Sequence, residues 1–373
     1  MTGDAVAAVR RAVRGFLDAV EAPSELCVAV SGGADSLALA EATAYVGRHR
    51  GHRVRALVVD HGLQEGSAKI ARDAAAAAKS LGADDAEVRR TDVTGPGGPE
   101  AAARKARYRA LVVDHGLQEG SAKVARDAAA AVRALGVDEA EVRRADVTGP
   151  GGPEAAARKA RYRALAGHDL VLLGHTLDDQ AETVLLGLGR GSGPRSVAGM
   201  RPHDPPWGRP LLAVPRATTR AACAELGVEP WDDPHNAEPR FTRVRLRTEV
   251  LPLLEDVLNG GVAAALARTA AQLRDDNEAL DTVAERIFTR AGGPDGLDVA
   301  TLAPEPAAVR RRVLRRWLLA SDVRELTDAH LRAVDALVAR WRGQGGVWLP
   351  GNLEARRAHG RLCVVSQPTT RGE

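Results

Sequence analysis

Apolar residues recur with two different periods along this chain. Val6 to Val20 alternates arginines with apolar positions at helical spacing and reads as an amphipathic helix. Leu26-Cys27-Val28-Ala29-Val30 is a short apolar run, which reads as a strand and leads through Ser31-Gly32-Gly33 into an alanine- and leucine-rich helix. Strand patterns return at Val54–Asp60 and Leu170–Gly174, each followed by helical spacing. From Leu251 onward the period is helical, with Leu253, Leu254, Val257 and Leu258, then Ala264 to Leu280. Near the end, Leu349-Pro350-Gly351-Asn352 is a turn between short strands that finish at Leu362–Val365. Strands alternating with helices predict an α/β fold, a doubly wound and mostly parallel sheet, over residues 1–215. A smaller, mainly helical domain is expected over 216–373.

Residues 56–109 and 110–163 are tandem near-copies, identical at 47 of 54 positions. Each reads strand, helix, strand, glycine-proline loop, helix. Two copies inside a non-repeating chain indicate a segmental duplication rather than a solenoid. The first copy is entered through the polar connection Arg48–Arg53, and the second is left through Ala166-Gly167-His168-Asp169. Between the copies no connecting residues separate Arg107-Tyr108-Arg109 from Leu111-Val112-Val113, although a helix and a strand need a few. The sheet is therefore expected to take its second strand from the first copy and its Glu-Ala-Ala-Ala-Arg helix from the second, with about one copy's worth extruded. Lengthening a connection from ~5 to ~60 residues costs only roughly 2 kcal/mol of closure entropy. An enlarged sheet using both copies, or exchange of a copy within a homodimer, are the alternatives.

Composition narrows the class. Of 373 residues, 45% are hydrophobic and 27% charged, as in globular proteins, and no apolar run approaches the ~20 residues of a membrane span. No membrane partner is expected, and the absence of a signal-type leader points to the cytoplasm. Cys27, Cys223 and Cys363 are too scattered for a disulfide framework, a zinc ribbon or an iron–sulfur ligand set. A net charge of +3 permits a nucleic-acid partner without requiring one.

Candidate chemistry concentrates in two loops. In Ser31-Gly32-Gly33-Ala34-Asp35-Ser36 the glycines allow close backbone approach, the helix start offers N–H groups, and Ser31 and Ser36 add hydroxyls suited to phosphate oxygens. Asp35 inside an anion cradle makes sense if a divalent metal comes with the anion, which implies nucleotide phosphates and Mg2+. The spacing is not that of a Walker loop and no lysine follows. The second loop, Gly174-His175-Thr176-Leu177-Asp178-Asp179-Gln180-Ala181-Glu182-Thr183, follows a strand, where α/β sheets bind ligands. Asp178, Asp179 and Glu182 lie within about one helical turn and call for a cation: magnesium, a substrate ammonium, or both. Beyond it, Arg310, Arg311, Arg312, Arg315 and Arg316 crowd one helix with few acids nearby in sequence, which suits RNA phosphates.

The first loop resembles that of the N-type ATP pyrophosphatases. Several further motifs occur in the order seen in tRNA(Ile)-lysidine synthetases: the Asp-His-Gly-Leu run, the Glu-Ala-Ala-Ala-Arg helix, Gly174–Thr183, the Arg190-Gly191-Ser192-Gly193 loop and Arg209-Pro210-Leu211-Leu212. Asp232-Asp233-Pro234-His235-Asn236 and Arg240-Phe241-Thr242-Arg243-Val244-Arg245-Leu246-Arg247 are similar to later family segments. His235 and Val244 depart from the usual Ser/Thr and Asn, and the family pattern has one copy of the repeated unit.

The resemblance implies an adenine nucleotide alpha hydrolase-like fold and conversion of the wobble cytidine of a CAU-anticodon isoleucine tRNA to lysidine, using ATP, Mg2+ and free lysine. It implies ATP contacts at Ser31, Gly32, Gly33, Ala34, Asp35, Ser36, His175 and one of His61 and His115. Catalytic roles fall to Asp35, Asp178, Asp179 and Glu182, with Asp35 and Asp178 toward the metal. The tRNA would meet Arg190, Arg243, Arg247, Arg311 and Arg315. Other enzymes sharing the loop, which adenylate different substrates, and an inactive tRNA-binding relic are the competing readings.

Overall fold

The computed structural model describes residues 3–60, 67–90, 109–114, 139–144, 162, 165–191, 193–231, 241–293 and 295–366. They form two compact units, Met1–Gln180 with Arg201–Pro252, and Ala181–Met200 with Leu253–Glu373. The strands along the first two thirds are β1 (Glu25–Val30), β2 (Arg53–Asp60), β3 (Asp85–Arg90), β4 (Arg109–Asp114), β5 (Glu139–Arg144), β6 (Val171–Leu172), β7 (His203–Asp204) and β8 (Trp207–Gly208). The helices there are α1 (Asp4–Asp18), α2 (Ala34–Arg50), α3 (Ser67–Ser80), α4 (Leu177–Gly189), α5 (Pro194–Val197) and α6 (Arg216–Glu225).

The first unit is organised by a six-stranded sheet in the order β3-β2-β1-β6-β8-β7. All neighbours are parallel except the β7–β8 pair at the edge. A parallel sheet is stable only with both faces covered, and the period of two along each strand shows how that is done. Leu26, Val28 and Val30 of β1, Val54, Ala56 and Val58 of β2, and Leu172 of β6 point into one core with Val6, Val9 and Val13 of α1 and Leu37 of α2. Cys27, Leu57, Val171 and Leu173 point the other way, onto Leu165, with Tyr162 and Trp207 packed beside them. Tyr162 meets Trp207 edge-on at 4.7 Å. Each fully buried aliphatic side chain contributes about 1.5–3 kcal/mol, so the alternation specifies strand register strongly.

The duplication is resolved asymmetrically. β2 and β3, from the first copy, enter the main sheet, whereas β4 and β5, from the second, pair only with each other in a separate two-stranded sheet. The register repeats: Arg55 faces Asp85 and Asp60 faces Arg90, while Arg109 faces Glu139 and Asp114 faces Arg144. The enlarged sheet is therefore not formed. Tyr162, at the end of the second copy, packs on the main sheet, as splicing from both copies requires. The rest of its Glu-Ala-Ala-Ala-Arg helix lies outside the described residues.

A cut at residue 215 does not match the compact units, because residues 216–252 belong with the first. The cause is α6, whose Ala222 and Cys223 are buried in the main core and whose Glu225 accepts the Ala5 and Val6 N–H groups at 3.1 and 2.9 Å. That carboxylate caps α1, where Gly3 has no side chain to do so. Gly174, just after β6, makes the close approach that positions the site. A Cβ there would lie 3.1 Å from both the carbonyl carbon and oxygen of Asp35 and 3.2 Å from the Ser36 nitrogen, all backbone atoms.

The second unit holds α7 to α12 only in part: α7 (Thr242–Arg245), a π-helical turn at Leu246–Val250 and the start of α8 (Leu251–Val257) precede the division at Pro252. The long α9 (Val262–Ala291), β9 (Leu297–Asp298), α10 (Val299–Leu302), α11 (Ala307–Ala320) and α12 (Asp328–Ala339) follow, then β10 (Val347–Leu349), β11 (Leu353–Ala358) and β12 (Arg361–Ser366). The four strands form one antiparallel sheet in the order β10-β11-β12-β9, more strand than a mainly helical domain suggests. Its core is centred on Leu297, Leu314, Trp317 and Leu318. No single described helix is long and apolar enough to cross a membrane.

Two outcomes test this arrangement. Deleting residues 110–163 restores a single copy, and calorimetry is expected to find the main melting transition retained; its loss would mean that the second copy is integral to the sheet. Gly174→Ala is expected to destabilise by about 1–3 kcal/mol in denaturant titration, because the added methyl meets backbone rather than a movable side chain.

Candidate active site

The loop after β1 turns on Gly32, whose φ of 87° lies in the left-handed region that favours glycine. Its carbonyl accepts the Trp231 N–H at 2.9 Å, and Gly33 then begins α2 without a capping side chain. Ser36 is buried and donates to the Gly33 carbonyl at 2.9 Å, while its oxygen accepts the Ser31 N–H at 3.1 Å. The Ser36 hydroxyl therefore bonds within the loop. Its single proton is already placed inside the turn. Ser31 is the exposed hydroxyl, and Ala34 closes the loop as a buried residue.

Asp35, at the start of α2, accepts a hydrogen bond from the Thr219 hydroxyl. The Arg216 Nε lies 3.6 Å from its other oxygen. Burial raises the Asp35 pKa above the ordinary carboxylate value, against the opposing pull of Thr219 and Arg216. Across the Gly174 approach, Asp179 accepts the Thr176 N–H at 2.8 Å and the Thr176 hydroxyl at 2.9 Å on one oxygen. This is the reciprocal half of a helix cap. Its other oxygen takes the Arg216 Nη2 at 2.7 Å, with an Arg247 nitrogen at 3.8 Å. Burial alone would raise the Asp179 pKa, but Arg216 and the Thr176 N–H outweigh it and hold the group below its ordinary value. Asp178 accepts the Arg216 backbone N–H at 2.8 Å.

Asp35, Asp178 and Asp179 thus converge on Arg216, the first residue of α6. Arg216 and Thr219 were not among the residues the sequence singled out. One signal existed. A cation in the first turn of a helix opposes the dipole, and the Pro215-Arg216 start of α6 offers no acid of its own to offset it. Hard carboxylate oxygens from Asp35 and Asp178 suit Mg2+ by donor chemistry, so the residues present fit such an ion.

Glu182 is on α4 and fully buried, and His175 is half-buried just past β6. His61 and His115 lie outside the described residues, as does the 232–236 segment. The strand preceding His61 is β2, paired with β1, whereas the strand preceding His115 is β4, outside the main sheet. Arg247 stands beside Asp179, within the acid cluster, rather than on a separate basic surface. Arg243 is half-exposed and Arg190 exposed.

The arginine helix α11 is largely neutralised, which corrects the expectation of few acids nearby. Arg310 is buried and bonded to Asp335, which also takes Arg311 at 3.1 Å. Arg312 pairs with Asp281 at 3.0 Å, and Arg316 with Glu285 at 2.7 Å. The acids come from α9 and α12, remote in sequence, so local composition could not reveal them. Among the described residues Arg315 alone of the five has no acid partner. It is half-exposed.

Comparison with known proteins accords with this geometry. The PP-loop domain profile matches residues 7–112 and again 109–254, and the TilS substrate binding domain profile matches 297–363. The first PP-loop match contains Ser31–Ser36 but not Asp178 and Asp179, the second the reverse, so one site needs both. A tRNA(Ile)-lysidine synthase of Rhodococcus jostii (strain RHA1) is 52% identical over 96% of this chain and 95% of its own length. Proteins of the same name from Mycolicibacterium paratuberculosis (strain ATCC BAA-968 / K-10) and Mycobacterium tuberculosis (strain ATCC 25618 / H37Rv) are 59% and 58% identical, over 73% and 70% of this chain and 89% and 84% of theirs. With two thirds of its length matched by the PP-loop profile and near-complete coverage by curated relatives, the chain belongs to the tRNA(Ile)-lysidine synthase family.

Proposed function

We propose that this protein ligates free lysine to C2 of the wobble cytidine of CAU-anticodon isoleucine tRNA, consuming ATP. The observation that carries the reading is the convergence of Asp35, from the phosphate loop, with Asp178 and Asp179, from the second motif, on one residue, Arg216, whose guanidinium meets Asp35 and Asp179 and whose backbone N–H meets Asp178. In the first step the cytidine O2 forms a bond to the α-phosphorus of ATP and pyrophosphate leaves. In the second the lysine ε-amine attacks C2 and loses a proton, the C2–O2 bond breaks, and AMP leaves carrying O2 and the bond's electron pair.

The chain's own groups divide the work. The Ser31–Gly33 backbone, opening onto the start of α2, receives the pyrophosphate, and the buried Ser36 keeps that loop in shape. Asp35 and Asp178 would hold Mg2+, which supplies charge neutralisation at the phosphates when bound. Asp179 and Glu182 orient the lysine ammonium, with His175 and one of His61 and His115 beside the nucleotide. Arg190, Arg243 and Arg315 are the arginines proposed to contact RNA phosphate. Arg247 is reassigned to the acid cluster, and Arg311 to holding Asp335. A tRNA substrate places the reaction in the cytoplasm.

Incubation with ATP, Mg2+, lysine and isoleucine tRNA transcript, followed by nucleoside mass spectrometry, is expected to yield lysidine. Pyrophosphate release without lysidine would indicate another adenylating enzyme, and tRNA binding without release a relic. Asp179→Asn is expected to lower the rate of lysidine formation by about 100-fold, as misplacement of a positioning group does. In the second unit, Arg315→Ala is expected to weaken tRNA binding and flatten its salt dependence without moving the melting temperature. Arg310→Ala, which leaves Asp335 buried without its main partner, is expected instead to destabilise by about 3–5 kcal/mol.

A further inference from the structure

We propose that Arg216 is the resident counter-ion of the carboxylate cluster: it holds Asp35 and Asp179 in place while no divalent metal is bound, and gives up Asp35 to the metal that Asp35 and Asp178 would hold. The proposal rests on the reading of this site as an ATP site, because that reading supplies the metal. It assigns to Arg216 a positioning role distinct from contact with substrate.

Three observations support it. The Arg216 side chain is 17% exposed and its nitrogens lie 2.7 Å from Asp179 and 3.6 Å from Asp35. Those carboxylates come from α2 and α4, and Gly174, just before α4, lies against the backbone of Asp35 and Ser36 in α2. Secondly, Arg216 occupies the first turn of α6, where the helix dipole disfavours a cation, so its stability there depends on the acids it faces. Thirdly, Thr219, one turn along α6, contacts the Arg216 carbonyl at 2.8 Å and the Asp35 carboxylate, tying the backbone beneath Arg216 to the same cluster.

A guanidinium and a hard divalent ion seek the same oxygens, but they differ in what they leave behind. The guanidinium satisfies the carboxylates through directed hydrogen bonds and stays tethered to α6. A divalent ion that takes the oxygens displaces it, and the freed cation remains close to where phosphate charge accumulates. Coupling of this kind is reciprocal. If Arg216 stabilises the metal-free cluster, its removal must tighten metal binding. Arg247, 3.8 Å from Asp179, is the second cation at the cluster and sets a residual competition when Arg216 is gone.

The test measures Mn2+ binding to the full-length, nucleotide-free chain by electron paramagnetic resonance. Arg216→Met is expected to bind Mn2+ at least about fivefold more tightly than the unsubstituted protein, with Arg216→Lys between the two. Unchanged or weaker binding in Arg216→Met overturns the proposal, since a merely structural arginine would loosen the site when removed. A second measurement needs no variant. Phenylglyoxal modification of Arg216, followed by peptide mass spectrometry, is expected to rise several-fold when Mn2+ saturates the protein, and no rise overturns the proposal. Neither measurement uses tRNA or lysine, so failure here is distinguishable from failure to form lysidine.

Discussion

The parallel pairing of β1 with β6 is the constraint on which the first unit depends. Cys27 faces Val171 and Val28 faces Leu172, although more than a hundred residues separate them in sequence. That pairing sets the loop after β1 beside the loop after β6, and it is what allows Gly174 to approach the backbone of Asp35 and Ser36. Asp35 stands on one side of the contact and Asp178 and Asp179 on the other. The duplication lies wholly between the two strands, and they still pair because extra length in a connection has an entropic cost that grows only with the logarithm of length.

The charge distribution follows from the same contact. Bringing Asp35 next to Asp179 places carboxylates together in a partly buried pocket, which is unfavourable without a cation. α6 supplies it. Arg216 reaches both acids while its backbone N–H serves Asp178, and the Ala222–Cys223 side of the helix anchors it in the main core. The opposed pKa directions express the geometry: Asp35 is dominated by burial, Asp179 by its donors. α6 is thus both a core helix and a wall of the site, which is why the compact unit extends past residue 215 to Pro252.

Much of this was legible in the sequence. The apolar run of β1, the Ser-Gly-Gly loop and the Gly174–Thr183 motif each announce their element locally, and motif order led to the family. That the second strand comes from the first copy was legible from the joints, since only the first copy has a proper entry. What escaped were contacts between distant segments. Nothing near Arg310–Arg316 discloses Asp281, Glu285 or Asp335, so a neutralised helix looked like a free basic face. Arg216 escaped for the same reason: its acids lie 37, 38 and 181 residues earlier in the chain. The bond from Ser36 to the Gly33 carbonyl was likewise not readable from sequence, because a hydroxyl in such a loop has several partners within reach.

The central claim is that each chain builds one complete adenylation site from the two motifs in spite of the duplication. Its most direct test is a rapid-quench measurement with ATP, Mg2+ and isoleucine tRNA but no lysine, so that the adenylated tRNA accumulates. The account predicts a burst of roughly one pyrophosphate per chain, the kinetic mark of an intermediate formed faster than it is consumed. Saturable tRNA binding with no burst would contradict it.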